Sequence, residues 1–166
     1  MNDSSTNGYV LDSDCLLKLE KKFEMGKKIL NSCKIYAPKS FLYELGEKLL
    51  SALLENYNFE LVELIDEDHE RIGIFIKKIY HNKDLMKKYI RNPNSFKAPH
   101  LGECQCAAIA KRFSIPLVLM ERKQITLFKA LDIEVFHIKE FGLKTLTETQ
   151  DQESFLKSLW EKENIK

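Results

Sequence analysis

Apolar residues along this chain fall into short blocks whose spacing switches between two periods, and the switching predicts strands interleaved with helices. Tyr9-Val10-Leu11 has the pattern of a short buried strand and runs straight into Asp12-Ser13-Asp14, residues suited to capping a helix. From 15 to about 28, Leu16, Leu19, Phe23 and then Ile29 recur near helical spacing. Lys34-Ile35-Tyr36-Ala37 reads as a second strand halted by Pro38, after which Ser40 is placed to cap a long helix with Phe41, Leu45, Leu49 and Leu53 on one face. Residues 59–65 alternate as a third strand. Asp66-Glu67-Asp68 opens a helix to about Tyr80, its acids at the positive end of the dipole. A short helix near 84–90 precedes the break at Asn92-Pro93-Asn94. The Ala-rich run 101–113 predicts a helix, Leu117-Val118-Leu119 a strand, 124–131 a helix and 133–138 a strand. Beyond a polar stretch at 145–153, Phe155, Leu156, Leu159 and Trp160 mark a last amphipathic helix.

Repeated strand–helix alternation with short connections implies an α/β fold: a three-layer α/β/α sandwich around a central, mainly parallel sheet. Such sheets bind ligands at the carboxyl ends of their strands. The polar residues 1–8 are expected to be a disordered tail, 9–143 a single domain, and 144–166 a helical extension. At 166 residues, 44% hydrophobic and 10% aromatic, the chain has enough apolar material for a core, which excludes a largely disordered protein. Lys+Arg 26 against Asp+Glu 25 leaves +1, so no overall charge announces a nucleic-acid partner. An acidic metal site would cancel a basic rim in that sum. The apolar runs are too short to span a membrane, and the first residues lack the basic and apolar parts of a secretory signal. A cytoplasmic protein without membrane association is the expectation. Cys15, Cys33, Cys104 and Cys106 form no Cys-x-x-Cys pair, which points to reduced thiols rather than a zinc site.

Four acids follow strands or open the helices after them. Asp12 ends the first strand, Glu44 lies one to two turns into the helix after the second, Glu103 sits in the first turn of 101–113, and Glu121 ends the strand at 117–120. On a parallel sheet all four project towards one edge, where crowded carboxylates repel unless a cation holds them. Hard oxygen ligands of this kind suit Mg²⁺ or Mn²⁺. Taken singly each has a plainer use: Asp12 as a helix cap, Glu103 as a dipole partner, Glu44 and Glu121 as solvated acids. Only their joint placement points to a site. Asp14 is placed either to join it or to cap the helix, and Ser13 to hydrogen-bond a ligating carboxylate or the backbone. Arg122 and Lys123 suit a substrate phosphate as well as a solvated helix face. Lysine pairs at 21–22, 27–28, 77–78 and 87–88, with Arg91, Lys97, Tyr80, Tyr89 and Phe96, make 77–97 either a wall for single-stranded nucleic acid or a set of solvated faces. His100 is the one histidine close to these acids in sequence; His69, His81 and His137 share no ligand spacing.

Several of these segments are similar to one family. Val10-Leu11-Asp12-Ser13-Asp14-Cys15-Leu16-Leu17 resembles the opening of PIN domains, and Pro38-Lys39-Ser40-Phe41-Leu42-Tyr43-Glu44-Leu45 resembles their second motif. Leu101-Gly102-Glu103-Cys104-Gln105-Cys106-Ala107-Ala108 is similar to the Gly-Glu-x-Glu-Ala helix of a prokaryotic branch, and 117–136 to its closing segment. The resemblance, from about Tyr9 to Leu143, implies a metal-dependent nuclease whose catalytic, metal-holding acids are Asp12, Glu44, Glu103 and Glu121, with Mg²⁺ or Mn²⁺ as cofactor. Ser13, Asp14, Arg122 and Lys123 are then the substrate-binding candidates. The resemblance also implies single-stranded or looped RNA as substrate. Toxins of the virulence-associated protein C type bring a further implied partner, an antitoxin protein; the stripe of Phe155, Leu156, Leu159 and Trp160 either packs on its own domain or binds such a protein or a second copy of the chain. Met120 stands where the branch has an Asp, and Gln105 where it has a second Glu. These departures also suit a catalytically weak module that binds RNA or a partner protein, while the residues equally admit a nuclease directed at DNA.

Overall fold

The computed structural model describes residues 8–81 and 101–163. Among them, five strands and nine helices follow one another as β1 (Gly8–Leu11), α1 (Ser13–Lys21), α2 (Gly26–Asn31), β2 (Lys34–Pro38), α3 (Phe41–Glu44), α4 (Glu47–Asn56) and β3 (Phe59–Val62). Then come α5 (Asp66–His81), α6 (Leu101–Phe113), β4 (Leu117–Leu119), α7 (Arg122–Lys129), β5 (Val135–His137), α8 (Ile138–Thr145) and α9 (Thr149–Glu163). The helix expected near 84–90, the break at 92–94, His100 and the basic and aromatic residues of 82–97 lie outside the described residues, as do residues 1–7 of the expected tail and 164–166. Gly8 already belongs to β1.

All five strands are parallel in a single sheet of order β3-β2-β1-β4-β5, the centre of a three-layer α/β/α sandwich. β1 is central, pairing with β2 through Tyr9↔Ile35 and with β4 through Leu11↔Val118. Covered on both faces, it is nearly continuous in apolar residues, with Val10 and Leu11 fully buried. The chain steps outward from β1 to β2 and β3, then returns to the other side of β1 for β4 and β5. That reversal makes the carboxyl ends of β1 and β4 the topological switch point.

Two helices expected to be continuous are broken. Met25 adopts a left-handed conformation (φ 66°), and α2 starts afresh at Gly26, packed so closely on α1 that a Cβ there would lie 1.9 Å from the Leu19 carbonyl oxygen. The helix after β2 is interrupted by Gly46 (φ 81°), which separates α3 from α4 while leaving Phe41, Leu49, Leu50 and Leu53 buried on a common core. The first of these breaks hangs on a methionine at positive φ, which composition does not announce. The last strand shortens to Val135–His137, and most of the polar stretch 145–153 is taken up by the ends of α8 and α9.

α6 is the helix seated most closely on the sheet. Cys104, Cys106, Ala107, Ala108, Ile109 and Ala110 are all buried, and the small side chains let the helix lie across β1, β2 and β4. α5 runs antiparallel beside it. Its start is pinned by the fully buried Asp68, whose Oδ2 accepts the Ile65 N–H at 2.9 Å and pairs with Arg112 of α6 at 3.3 Å. On the other face, α9 inserts Phe155 against Gly142 of α8 and edge-on to Phe23 (centroids 6.1 Å apart). Phe155 and Leu159 of the expected apolar stripe are buried, Leu156 is half-buried, and Trp160 stays 55% exposed.

Two glycines separate steric from propensity effects. An added Cβ on Gly73, on the exposed face of α5, meets nothing within 4 Å, whereas on Gly26 it meets backbone. Gly73→Ala is therefore expected to raise stability by about 0.5–1 kcal/mol, and Gly26→Ala to lower it by about 2 kcal/mol or more. Urea midpoints measured side by side check both signs; a stabilised Gly26→Ala would contradict the packing of α2 on α1.

Candidate functional site

Asp12 is both a cap and a buried acid. As N-cap of α1 it has extended backbone geometry, and its Oδ1 accepts the Cys15 N–H at 2.8 Å. It is only 7% exposed. Burial pushes its carboxyl up to about 7, with repulsion from Asp14 and Glu103 adding to the effect and the Cys15 N–H opposing it. Beneath it lies the thiol of Cys106, in contact with the Leu11 carbonyl oxygen at 4.0 Å. Burial raises that thiol first, and then the charges of Asp12, Glu103 and Glu44 raise it further. Three of the four acids proposed from sequence thus bear on one buried point at the carboxyl end of β1.

Glu44 ends α3 and is exposed, but its carboxylate is turned to the first turn of α6, where a Cβ on Gly102 would lie 3.3 Å from Glu44 Oε1. A side chain at 102 would press on that carboxylate, and glycine leaves it room. Ser40, expected to cap the following helix, does not: its side chain makes no cap hydrogen bond. The hydroxyl donates instead to Oε1 of Gln105 at 2.7 Å. Glu103 is half-buried in the first turn of α6, and across from it Tyr80 of α5 has its phenol raised by burial, then by Cys104 and Glu103.

The remaining candidates are spread more widely. Glu121 is half-buried at the N-cap position of α7 without a side-chain cap. Strand order alone sets it beside Asp12, whereas Asp12, Glu44 and Glu103 share a field. Met120 is half-buried and packs on the core. Ser13 is half-buried and Asp14 exposed in the first turn of α1; Arg122 is exposed and Lys123 half-buried at the start of α7. Of the wall suggested at 77–97, Lys77 and Tyr80 line a shallow hollow of about 730 Å³ on α5 together with Glu70, Ile74 and His81.

Among the described residues, no three of His, Cys, Asp or Glu close into a ready-made ligand cage. A magnesium-type ion does not require one, since it is commonly held by one or two carboxylates, with waters and substrate phosphates completing the shell. The raised carboxyl of Asp12, crowded by Glu103 and Asp14, has the electrostatics that a cation relieves, and the long side chains of Glu44 and Glu103 are not packed away. The donor set therefore fits a hard divalent ion.

His137 is the residue that sequence reasoning passed over. It is 1% exposed at the end of β5, its Nδ1 accepts the Lys139 N–H at 3.1 Å, and Glu140 accepts the His137 N–H at 3.3 Å, a capping box on α8. Nε2 is buried, with the Met120 backbone as the polar group that acts on the ring there. Burial, followed by the charge of nearby Arg122, pushes the imidazole down to about 4. The signal was His137-x-x-Glu140 ahead of an apolar run, a capping-box spacing in which histidine replaces Ser or Thr. Compared with known proteins, the chain matches no family model and no curated protein.

The two perturbed groups act oppositely on stability. Asp12 takes up its proton more readily folded (about 7) than unfolded (3.8), so its contribution is lost as pH rises from 4 through 7. His137 is harder to protonate folded (about 4) than unfolded (6.5), so its contribution is lost as pH falls from 6.5 through 4. In chelator, Asp12→Asn, which keeps the cap, is expected to stabilise the protein above pH 7 by on the order of 4 kcal/mol and to give no advantage near pH 4. His137→Asn, with another capping side chain, is expected to gain on the wild type as pH falls from 6.5 towards 4. Urea unfolding across pH 4–8 reads both differences, and parallel curves for all three proteins would refute these environments.

Proposed function

We propose that this chain is a divalent-metal-dependent endoribonuclease of the PIN-like kind, hydrolysing phosphodiester bonds in single-stranded or looped RNA at the carboxyl edge of its sheet. The observation that supports the reading most is the buried Asp12 at the switch point, with Glu103 and Glu44 acting on the same buried thiol. Held by these carboxylates, Mg²⁺ or Mn²⁺ would supply charge neutralisation and a water activated near neutral pH. The protein's own part is positional. Asp12 is fixed by its bond to Cys15 and by burial, so its carboxylate needs little ordering when substrate arrives. Glu103 acts on it from α6, Glu44 comes up to α6 at Gly102 from α3, and Glu121 follows β4 at the N-cap position of α7. Arg122 and Lys123 stand next to that edge at the start of α7, where cations offset the charge of an approaching phosphate. Ser13 and Asp14, half-buried and exposed in the first turn of α1, would meet substrate beside Asp12.

The reading includes a cytoplasmic setting, an antitoxin protein as the resemblance suggests, and, at the exposed Trp160 of α9, that protein or a second copy of the chain as partner. Among the described residues no helix is long and apolar enough to cross a membrane. A second reading draws on Met120, an apolar half-buried residue where an acid would strengthen the metal site: a PIN-like module that binds RNA or a partner protein without cutting.

Cleavage separates the two. Purified protein is expected to cut a labelled single-stranded RNA in Mg²⁺ or Mn²⁺ and to stop in chelator. Asp12→Asn should reduce the rate by at least about 10²-fold while the circular dichroism spectrum is unchanged. Protein that binds the RNA equally with and without metal and never cuts it would establish the binding module; cleavage of DNA in preference to RNA would change the substrate but keep the site.

A further inference from the structure

The hydrogen bond between Ser40 and Gln105 joins two segments 65 residues apart, one helical turn from Glu44 and two residues from Glu103. Ser40 precedes Glu44 by four residues along α3, and Gln105 follows Glu103 by two along α6. A second contact runs parallel to it, where Glu44 approaches Gly102. The pairs 40–105 and 44–102 progress in opposite directions along the two helices, so α3 and α6 meet antiparallel at two successive turns. α3 has only four residues, too short to hold its own shape without tertiary support. Phe41 anchors α3 in the core, and the contacts with α6 help to set where Glu44 stands.

The chemistry of the attachment is specific. Ser40 occupies the N-cap position of α3, where its hydroxyl would ordinarily accept a backbone N–H of its own helix, yet it donates across to α6. Gln105 offers an acceptor oxygen without a charge. An ionised acid at 105 would accept the same hydroxyl but add a negative charge close to Glu103 and Asp12, where acids already repel.

We propose that Ser40 and Gln105 form a brace that sets the separation of Glu44 from Glu103, and that Gln105 is a positioning residue of the cation site. The proposal rests on the metal-dependent reading above. The brace acts before substrate binds, so its effect is on metal affinity. Partners that orient carboxylate ligands in this way are typically worth about 10–100-fold in metal affinity.

The experiment is Mn²⁺ binding to the full chain, followed by the electron paramagnetic resonance signal of free Mn²⁺, with RNA cleavage measured as a function of Mn²⁺. Ser40→Ala and Gln105→Leu are each expected to weaken binding about tenfold. The double variant should be no weaker than either single one, because both remove the same bond. The Mn²⁺ concentration for half-maximal cleavage should rise in step, while the rate at saturating Mn²⁺ returns to within about twofold of wild type. Gln105→Glu, which keeps the acceptor, should bind Mn²⁺ at least as tightly as wild type. Wild-type affinity in Ser40→Ala and Gln105→Leu, or additive losses in the double variant, would overturn the brace and leave the metal site standing. A wild-type chain that binds no Mn²⁺ would overturn both.

Discussion

How near α6 can come to the sheet is the constraint on which the rest of the carboxyl edge depends. Its buried face is built from alanines, cysteines and one isoleucine, so the helix axis sits close above β1, β2 and β4. Alanine also costs the least to hold in a helix, so close approach and helix stability are served by one composition. A bulkier side chain at Ala107 or Ala108 would lift the helix, with the strain of overpacking, about 1–3 kcal/mol. The first turn of α6 would move with it, carrying Gly102 away from Glu44 and Glu103 away from Asp12. The acidic edge is thus an outcome of packing several residues distant from it.

The same closeness leaves an electrostatic debt in the core. Asp12 caps α1 with a good hydrogen bond, yet it is buried among other acids and a raised thiol, an arrangement that folding alone does not favour. A buried carboxyl raised by its surroundings is what the proposed cation site turns on. By contrast the buried Asp68 is answered by the half-buried Arg112, and the pair serves to hold α5 against α6. Two buried aspartates in one small domain therefore have opposite meanings, and the difference lies in what faces them.

Much of the fold was legible because parallel strands buried on both faces write themselves as short apolar blocks, and the helices between them as periodic ones. β1, β2, β4, α5 and α6 fall where those patterns place them, and the alternation carries the three-layer architecture. The breaks at Met25 and Gly46 were hidden because the apolar periodicity continues through them; only backbone conformation changes there. At the site, Asp12 could be read locally, as the first cap after the first strand. The approach of Glu44 to Gly102 and the bond from Ser40 to Gln105 could not, since they arise when α6 returns beside α3 from far along the chain. Ser40 misleads for a related reason: its local role as a cap gives way to a tertiary partner. His137 was passed over because it was tested for metal spacing, while its pairing is with the helix that follows it.

The exposed Trp160 has a consequence for anyone watching this protein unfold by light. It is the chain's only tryptophan, more than half exposed on α9, while Phe155 and Leu159 anchor that helix from within. An indole this exposed is in contact with water even in the native state, so opening the sheet is expected to change its surroundings little. What does change them is release of α9 from the groove beside Phe23 and Gly142. The intrinsic fluorescence of this protein is a gauge of its carboxyl-terminal helix, and the loss of the sheet is better followed by the circular dichroism of the backbone.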